Sequence, residues 1–374
     1  MPESAQVVII GGGIVGCSIA YNLAKRGCSD VIVLEKGILG QGSTAKSQGG
    51  VRQQFPWETE IRMSQESLRF FLGFKEELGT DPDLHQVGYL FLYGSKEDIA
   101  RARADVMLQR SLGVETDLLT PQQVQAMLPD ARVDDLTGAT FCPSDGFLGP
   151  HEATQGFARG AKRLGVRFRE ETEVTGINVE RGHIAGVVTA GGAFATEIVV
   201  NAAGPFAAMV GRMAGVDIPV VPKLRHIFVT APFDGIRGDM PLIIDQALGF
   251  SCRREGPGIL LNAFDATPSP ECHIRMDWRV LPDLVRKATR RFPMLEEARI
   301  MNGWAGLREI TPDERAILGW LPEPRGFLCA VGFSGHGLMH APATGRLVAE
   351  LILDGKTHLD IGALRPERFL LNSR

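Results

Sequence analysis

The chain has no apolar run near the about 20 residues that a membrane span needs, and its N-terminus lacks a basic stretch followed by an apolar segment and cleavage site. Neither a membrane span nor a secretory leader is expected. Its cysteines, at 17, 28, 142, 252, 272 and 329, form no C-x-x-C pair and no metal-like cluster. That scatter predicts reduced thiols in a cytoplasmic protein, with no disulfide framework and no structural metal. There is no basic excess either: 40 Lys and Arg against 44 Asp and Glu leave a net charge of -4. Nucleic acid and anionic surfaces are therefore not expected partners. No repeat or low-complexity segment interrupts the 374 residues. This length exceeds what one core usually fills, so two intimately built domains are expected.

What is present begins at Val7. A short β-branched run, Val7 to Ile10, leads into Gly11, Gly13 and Gly16, which fit G-x-G-x-x-G. Ile14, Val15, Ile19 and Leu23 then fall at helical spacing, and Val31 to Leu34 reads as a second strand ending at Glu35. Glycines let the backbone turn tightly beside a pyrophosphate, and the helix start offers free N–H groups with partial positive charge. Glu35 lies 24 residues after Gly11, near the roughly 20-residue spacing of an acid that accepts a ribose hydroxyl. Lys36 follows it, with no arginine beside it to welcome a 2′-phosphate. The stretch predicts an adenine dinucleotide site.

The loop from Gly40 to Arg52 is rich in small and hydroxyl residues, with Gly42, Ser43, Thr44, Ser47, Gln48, Gly49, Gly50 and Val51 as a second cofactor-loop candidate. Helices are expected over 58–78, 96–112, 120–128 and 150–164, and a short meander over 173–188. A strand at 197–201 runs into Ala202, Ala203 and Gly204, small enough for a cofactor neighbour. Strand-like runs at 219–230, 241–244, 249–253 and 258–263, separated by Pro and Gly turns, predict an antiparallel sheet in a second lobe. A last buried strand, 327–331, ends in Gly332 and another glycine turn before a helix.

Six motifs in this order resemble the D-amino-acid oxidase superfamily, in its glycine oxidase and sarcosine oxidase β-subunit-like branch. They are GGGIVG with Glu35, STAKSQGGVRQQF (43–55), DGFLGP (145–150), NAAGP (201–205), WAGLREITPD (304–313) and GFSGHG (332–337), and together they cover nearly the whole chain. The resemblance implies an α/β, two-lobe fold. A Rossmann-like FAD-binding domain of the glutathione-reductase type, discontinuous over 1–85, 140–218 and 320–374, would join an antiparallel-sheet substrate domain over 86–139 and 219–319.

Carried over residue by residue, the resemblance places Gly11 to Gly16 at the pyrophosphate of FAD, Glu35 at the ribose, Ser43 and Thr44 at the phosphates, and Val174 at the adenine. Gly332, Ser334, Gly335, His336, Gly337 and Leu338 would lie against the flavin pyrimidine, and Gly306 beside the ring. Arg308 would pair with a substrate carboxylate, for which its fork is apt. Glu309, Asp313 and Glu314 offer it structural ion pairs instead. Arg52 sits where sarcosine oxidase-like members place an arginine near the flavin, and His336 and His226 are candidates to orient substrate or exchange protons. Arg225 neighbours His226 on a strand, so the two point to opposite faces.

The chain departs from the pattern at four places. Gly306 stands where a flavin-linking cysteine occurs, and no histidine lies within Gly40 to Arg52, so non-covalent FAD is expected. Met339 and Leu260 replace two lysines, one a carboxylate contact and the other an aid to oxygen reduction, which favours a dehydrogenase, or an oxidase with weak oxygen reactivity, passing electrons elsewhere. The resemblance thus implies oxidation of a small amino acid or N-methyl amine bearing a carboxylate, by hydride transfer to flavin N5 to give an imine. A 2-hydroxy-acid or glycerol-3-phosphate dehydrogenase of the same fold, or the flavin subunit of a larger amine dehydrogenase complex, remain alternatives. An electron acceptor and additional subunits are possible partners.

Overall fold

The computed structural model describes residues 3–233 and 237–370. Its first sheet has six strands in the order Ile317–Trp320, Phe327–Val331, Val199–Asn201, Val7–Ile10, Val31–Leu34, Arg167–Arg169. All neighbours are parallel except the edge strand Ile317–Trp320. Both faces are covered, which is why the central strands are apolar at every position rather than at alternate ones.

One face is covered by the helices Ile14–Lys25, Pro150–Arg163 and Gly337–Leu353. The last of these lies against the first, and a Cβ at Gly345 would stand only 2.3 Å from Ser18 Oγ. The meander Val174–Glu180, His183–Thr189 and Gly192–Ala195 covers the other face with Ile177, Ile184 and Val187. Chain start and chain end therefore build one nucleotide-type lobe.

The second sheet has eight strands in the order Ile300–Ile310, Val221–Thr230, Gly258–Ala263, Phe250–Glu255, Leu242–Asp245, Tyr89–Tyr93, Gly138–Cys142, Asp117–Leu119. Its joins are antiparallel except that between Leu242–Asp245 and Tyr89–Tyr93. Leu284 and Ala288 of the helix Leu281–Arg291 pack with Phe228, Phe250 and Ile259 to bury its back face.

The register fixes what the other face presents. Trp304 opposes Ile227, Ile227 opposes Asn262, Asn262 opposes Ser251, Ser251 opposes Ile244, and Ile244 opposes Phe91. Since side chains alternate along a strand, Arg225 and Arg308 lie on that same face, two residues from this row or four. Sheet membership also shifts the lobes' edges from the expected division. Ile317–Trp320 pairs into the nucleotide sheet although most of it precedes residue 320, and Gly138–Cys142 pairs wholly into the eight-stranded sheet although 140 was the expected boundary. Long-range pairing decides such edges.

No helix among the described residues is long and apolar enough to cross a membrane. Among the same residues no group of three or more His, Cys, Asp and Glu could hold a metal ion, and the six cysteines are free and buried.

Candidate active site

A cleft of about 400 Å³ runs from the first glycine turn to the open face of the eight-stranded sheet. At its nucleotide end Gly11 adopts φ +111°, and a Cβ there would lie 2.4 Å from the carbonyl oxygen of Ala202. Two parallel strand ends thus meet where no side chain fits. Gly13, Ile14 and Val15 line the cleft above them. Gly13 provides no side-chain cap for the helix Ile14–Lys25, and Thr44 Oγ1 accepts the Ile14 N–H at 3.3 Å instead.

Glu35 lines the same end, with Oε2 accepting from the Gly12 N–H and Oε1 from the Gly37 N–H, each at 2.8 Å. A carboxylate held in this way keeps further lone pairs for a hydroxyl donor. Gly42 has open space where a side chain would stand, and Val174, Ala203 and Gly204 complete the walls. Lys36 places its ammonium 3.2 Å over the Phe206 ring. A helix start, an acid presented nearby and walls of small residues together fit the phosphates and ribose of a dinucleotide.

The loop through Ser47, Gln48, Gly49 and Gly50 carries the wall onward, with Gln48 tied to the large sheet by Ser251 Oγ (3.0 Å) and Arg253 Nε (2.6 Å). At the far end the cleft receives Arg52, Arg225 and Arg308 together with Tyr89, Phe91, Asn262 and Phe264. Gly335, in a left-handed backbone at φ +92°, would place a Cβ 1.9 Å from Arg308 Nη2, so Arg308 crosses directly over it. Arg308 Nη2 donates to the Ser334 carbonyl at 2.6 Å.

Arg52 donates to Nε2 of His336 at 2.9 Å and to the Gln54 carbonyl, and it stacks 3.9 Å over Phe55. Asp145, from the DGFLGP segment, steadies that loop by accepting from the Gln53 N–H and Nε2, both at 3.0 Å, and from Gln54 Nε2 at 3.2 Å. Burial pushes its carboxyl up to about 6 despite these donors.

The electrostatics follow from three cations in one recess. Burial lowers Arg52 and Arg308, and burial with Arg308 nearby brings Arg225 down to about 10. Burial first, then Arg52, Arg308 and His340, hold His336 well below the usual imidazole range. The neutral ring accepts from Arg52 at Nε2, so its hydrogen sits on Nδ1. Glu309 is also enclosed, and burial raises its carboxyl to about 7. Among the described residues none of the three arginines forms a salt bridge; Asp313, one of the candidate partners of Arg308, pairs instead with Arg368 at 2.8 Å.

Five candidates from the sequence lie outside the cleft lining. Gly16 faces inward, where a Cβ would meet the Gly11 carbonyl at 2.0 Å, so its smallness serves helix-to-strand packing. Val51 is buried in a two-residue pairing with Gly146, and Gly332 abuts Thr311, at 2.4 Å from its missing Cβ. Ser334 turns its hydroxyl toward the Gly332 carbonyl at 3.2 Å. His226 is buried on the opposite face from Arg225, with Nδ1 on Asp265 (2.6 Å) and Nε2 accepting the Asp277 N–H (3.0 Å). Its ring is engaged by Asp265 and Asp277 and does not line the cleft.

Ser43 lines the cleft, but its hydroxyl donates to the Leu307 carbonyl at 2.6 Å. Gly306, Gly337 and Leu338 line it as well. Met339 also faces the cleft, and Lys46 lies against Gly306, 2.6 Å from where a Cβ would stand. Tyr89, Phe91, Asn262 and Lys46 received no role from the sequence. Strand alternation marked a face for the first three, but only register shows which face is open.

With this geometry in place, likeness to known proteins carries meaning. The family model described as FAD dependent oxidoreductase, DAO, matches residues 6–351. Human mitochondrial sarcosine dehydrogenase is 32% identical over 99% of this chain, which spans 42% of that protein's length. The chain thus covers about two-fifths of the sarcosine dehydrogenases that it matches. The crystal structure of L-proline dehydrogenase from P. horikoshii superposes with a TM-score of 0.93 at 36% identity, covering 99% of each chain. Glycine oxidase from Geobacillus kaustophilus gives a TM-score of 0.87 at 27% identity, with 97% of this chain and 98% of that one covered. By the extent of these matches, the chain belongs to the DAO family of FAD-dependent oxidoreductases.

Proposed function

We propose that this protein oxidises a small amino acid or N-substituted amine bearing a carboxylate, releasing an imine that water then hydrolyses. The observation that carries this reading is Arg308, recessed beside the helix start at Gly337 with no carboxylate bound to it among the described residues. Its guanidinium retains donors for a bidentate carboxylate contact. Bound FAD would supply the two-electron acceptor for the substrate's C–H bond.

The chain's own residues hold and shape the substrate. Arg308 fixes the carboxylate. Tyr89, Phe91 and Ile227 give the pocket apolar walls that limit water. The positive field of Arg52, Arg225 and Arg308 disfavours an ammonium and so favours the neutral amine, whose lone pair drives oxidation. No strong base is then needed, and neutral His336 is not called on to be one. Relatives named for sarcosine, proline and glycine support the amine class.

Non-covalent binding is supported by Gly306 and by a loop from Gly40 to Arg52 without histidine. Met339 and Leu260, at the places of two lysines, favour a dehydrogenase that passes electrons onward. Anaerobic titration of the purified flavoprotein with sarcosine, proline, glycine and 2-hydroxyglutarate tests the reading. Bleaching by the amines supports it, and bleaching by the hydroxy acid alone overturns it.

A further inference from the structure

The cleft holds more positive charge than one carboxylate needs. Arg52 is partly committed, with one guanidinium nitrogen on His336, another on the Gln54 carbonyl, and its face on Phe55. Arg308 and Arg225 are not equally tied. Arg308 gives one hydrogen bond, to the Ser334 carbonyl, and Arg225 gives one, to the Ala263 carbonyl at 3.2 Å. Each therefore retains most of its five donors.

The register sets these two side by side. Arg225 opposes Gly306, so Arg308 is its diagonal neighbour on the same face of an antiparallel pair. Such diagonal positions stand about 7–8 Å apart, within reach of long side chains. Burial and then the charge of Arg308 lower Arg225, with Asp265 and Glu314 offsetting only part of that, and among the described residues no carboxylate bonds either guanidinium, which is a costly arrangement for a recessed site without an anion.

A second, independent observation lies on the adjoining strand. Asn262 opposes Ile227, two residues along from Arg225 on the same face, and it lines the cleft. Its Oδ1 is enclosed and has no hydrogen-bond partner among the described residues. A buried acceptor left in that state awaits a donor. The cleft thus presents two cationic forks and, beside them, one carbonyl oxygen suited to an N–H.

We infer that the preferred substrate is a short amine flanked by two carboxylates, one held by Arg308 and the other by Arg225, with the nitrogen hydrogen-bonded to Asn262 Oδ1. This rests on the amine reading for the nitrogen, whereas the two-carboxylate part stands on the arginines alone. Arg225 becomes the residue that distinguishes a dicarboxylate from a monocarboxylate. A ligand whose second arm is neutral leaves the Arg225 fork uncompensated, so monocarboxylate ligands bind more weakly.

The test uses the holoprotein and two ligands that it cannot oxidise as amines, thiodiacetate and (methylthio)acetate, with perturbation of the flavin absorbance as the readout. Thiodiacetate is expected to bind at least about tenfold tighter, and Arg225→Gln to bring the ratio below about threefold. Arg225→Lys should retain an intermediate preference, which separates a charge effect from a folding defect. Equal affinities in the parent protein, or a ratio untouched in Arg225→Gln, overturn the inference.

Parallel bleaching by iminodiacetate, sarcosine and 2-hydroxyglutarate separates the two readings. Reduction by sarcosine as readily as by iminodiacetate sinks the dicarboxylate inference and leaves the amine function standing. Reduction by 2-hydroxyglutarate alone, with thiodiacetate still preferred, sinks the amine function and leaves the two-carboxylate site standing.

Discussion

Arg52 and His336 are 284 positions apart in the chain, yet Nη2 of the first donates to Nε2 of the second at 2.9 Å. Phe55 holds both, stacked under the guanidinium at 3.9 Å and meeting the imidazole edge-on at 5.0 Å between ring centres. The contact joins the loop after the first strands to the start of the helix Gly337–Leu353. Burial, and after it the charge of Arg52, keeps the imidazole neutral, and both residues line the cleft.

Arg308→Lys keeps the charge but loses the fork. Substrate affinity should fall about ten- to a hundredfold, with flavin content retained, because a bidentate contact becomes a point contact. Steady-state kinetics check this. Unchanged affinity and turnover would show that Arg308 does not clamp the carboxylate.

Gly335→Ala strains a left-handed backbone and drives a methyl group into Arg308 Nη2. The backbone strain costs about 1–3 kcal/mol, and displacement of Arg308 should weaken substrate binding beyond that. Thermal unfolding and ligand titration on the same sample separate the two effects. A variant with parental melting and parental affinity would contradict the geometry.

Glu309 gives a pH dependence whose sign can be worked out. Burial raises its carboxyl to about 7 in the folded protein, above its ordinary value of 4.5. The fold therefore favours the protonated form, and that contribution is complete below 4.5 and is lost as pH rises through about 7. Glu309→Gln removes the titration. The melting temperature of the apoprotein should fall relative to Glu309→Gln as pH rises from 4.5 toward 7, and parallel curves would refute it.

Asp245 and Arg291 are both buried and meet at 2.7 Å, joining the eight-stranded sheet to the helix behind it. Asp245→Ala removes one of two carboxylates on that cation and leaves Asp135, which also meets it at 2.7 Å, so the cost is about 1.5–3 kcal/mol for a lost charged hydrogen bond. Denaturant titration should show it, with little change in the flavin spectrum of the protein that remains folded.

Acid precipitation should release the flavin into the supernatant, leaving a colourless pellet. Yellow colour remaining in the pellet would show a covalent link and overturn the non-covalent proposal.

The dinucleotide end was readable because it is local. Strand, turn, helix and acid follow one another from Val7 to Glu35, and the spacing of such a unit is set by backbone geometry that every copy must share. The structure adds contacts that spacing does not give: Thr44 Oγ1 accepts the Ile14 N–H and Ser43 Oγ donates to the Leu307 carbonyl, while both residues line the cleft.

Adjacent residues show where sequence reasoning stops. Alternation alone said that Arg225 and His226 face opposite ways, and the structure agrees. It could not say which face is open. That depended on Leu281–Arg291 covering one side of the sheet, so Arg225 reaches the cleft while His226 is held by Asp265 and Asp277.

The sequence by itself determined the nucleotide turn, the family and the individual arginines, because short motifs encode short-range geometry. Only the tertiary structure decided that Arg225, Arg308 and Asn262 share one face and that Asn262 lacks a partner. Register between strands distant in sequence is fixed by packing over the whole sheet, and no single stretch of the chain contains it.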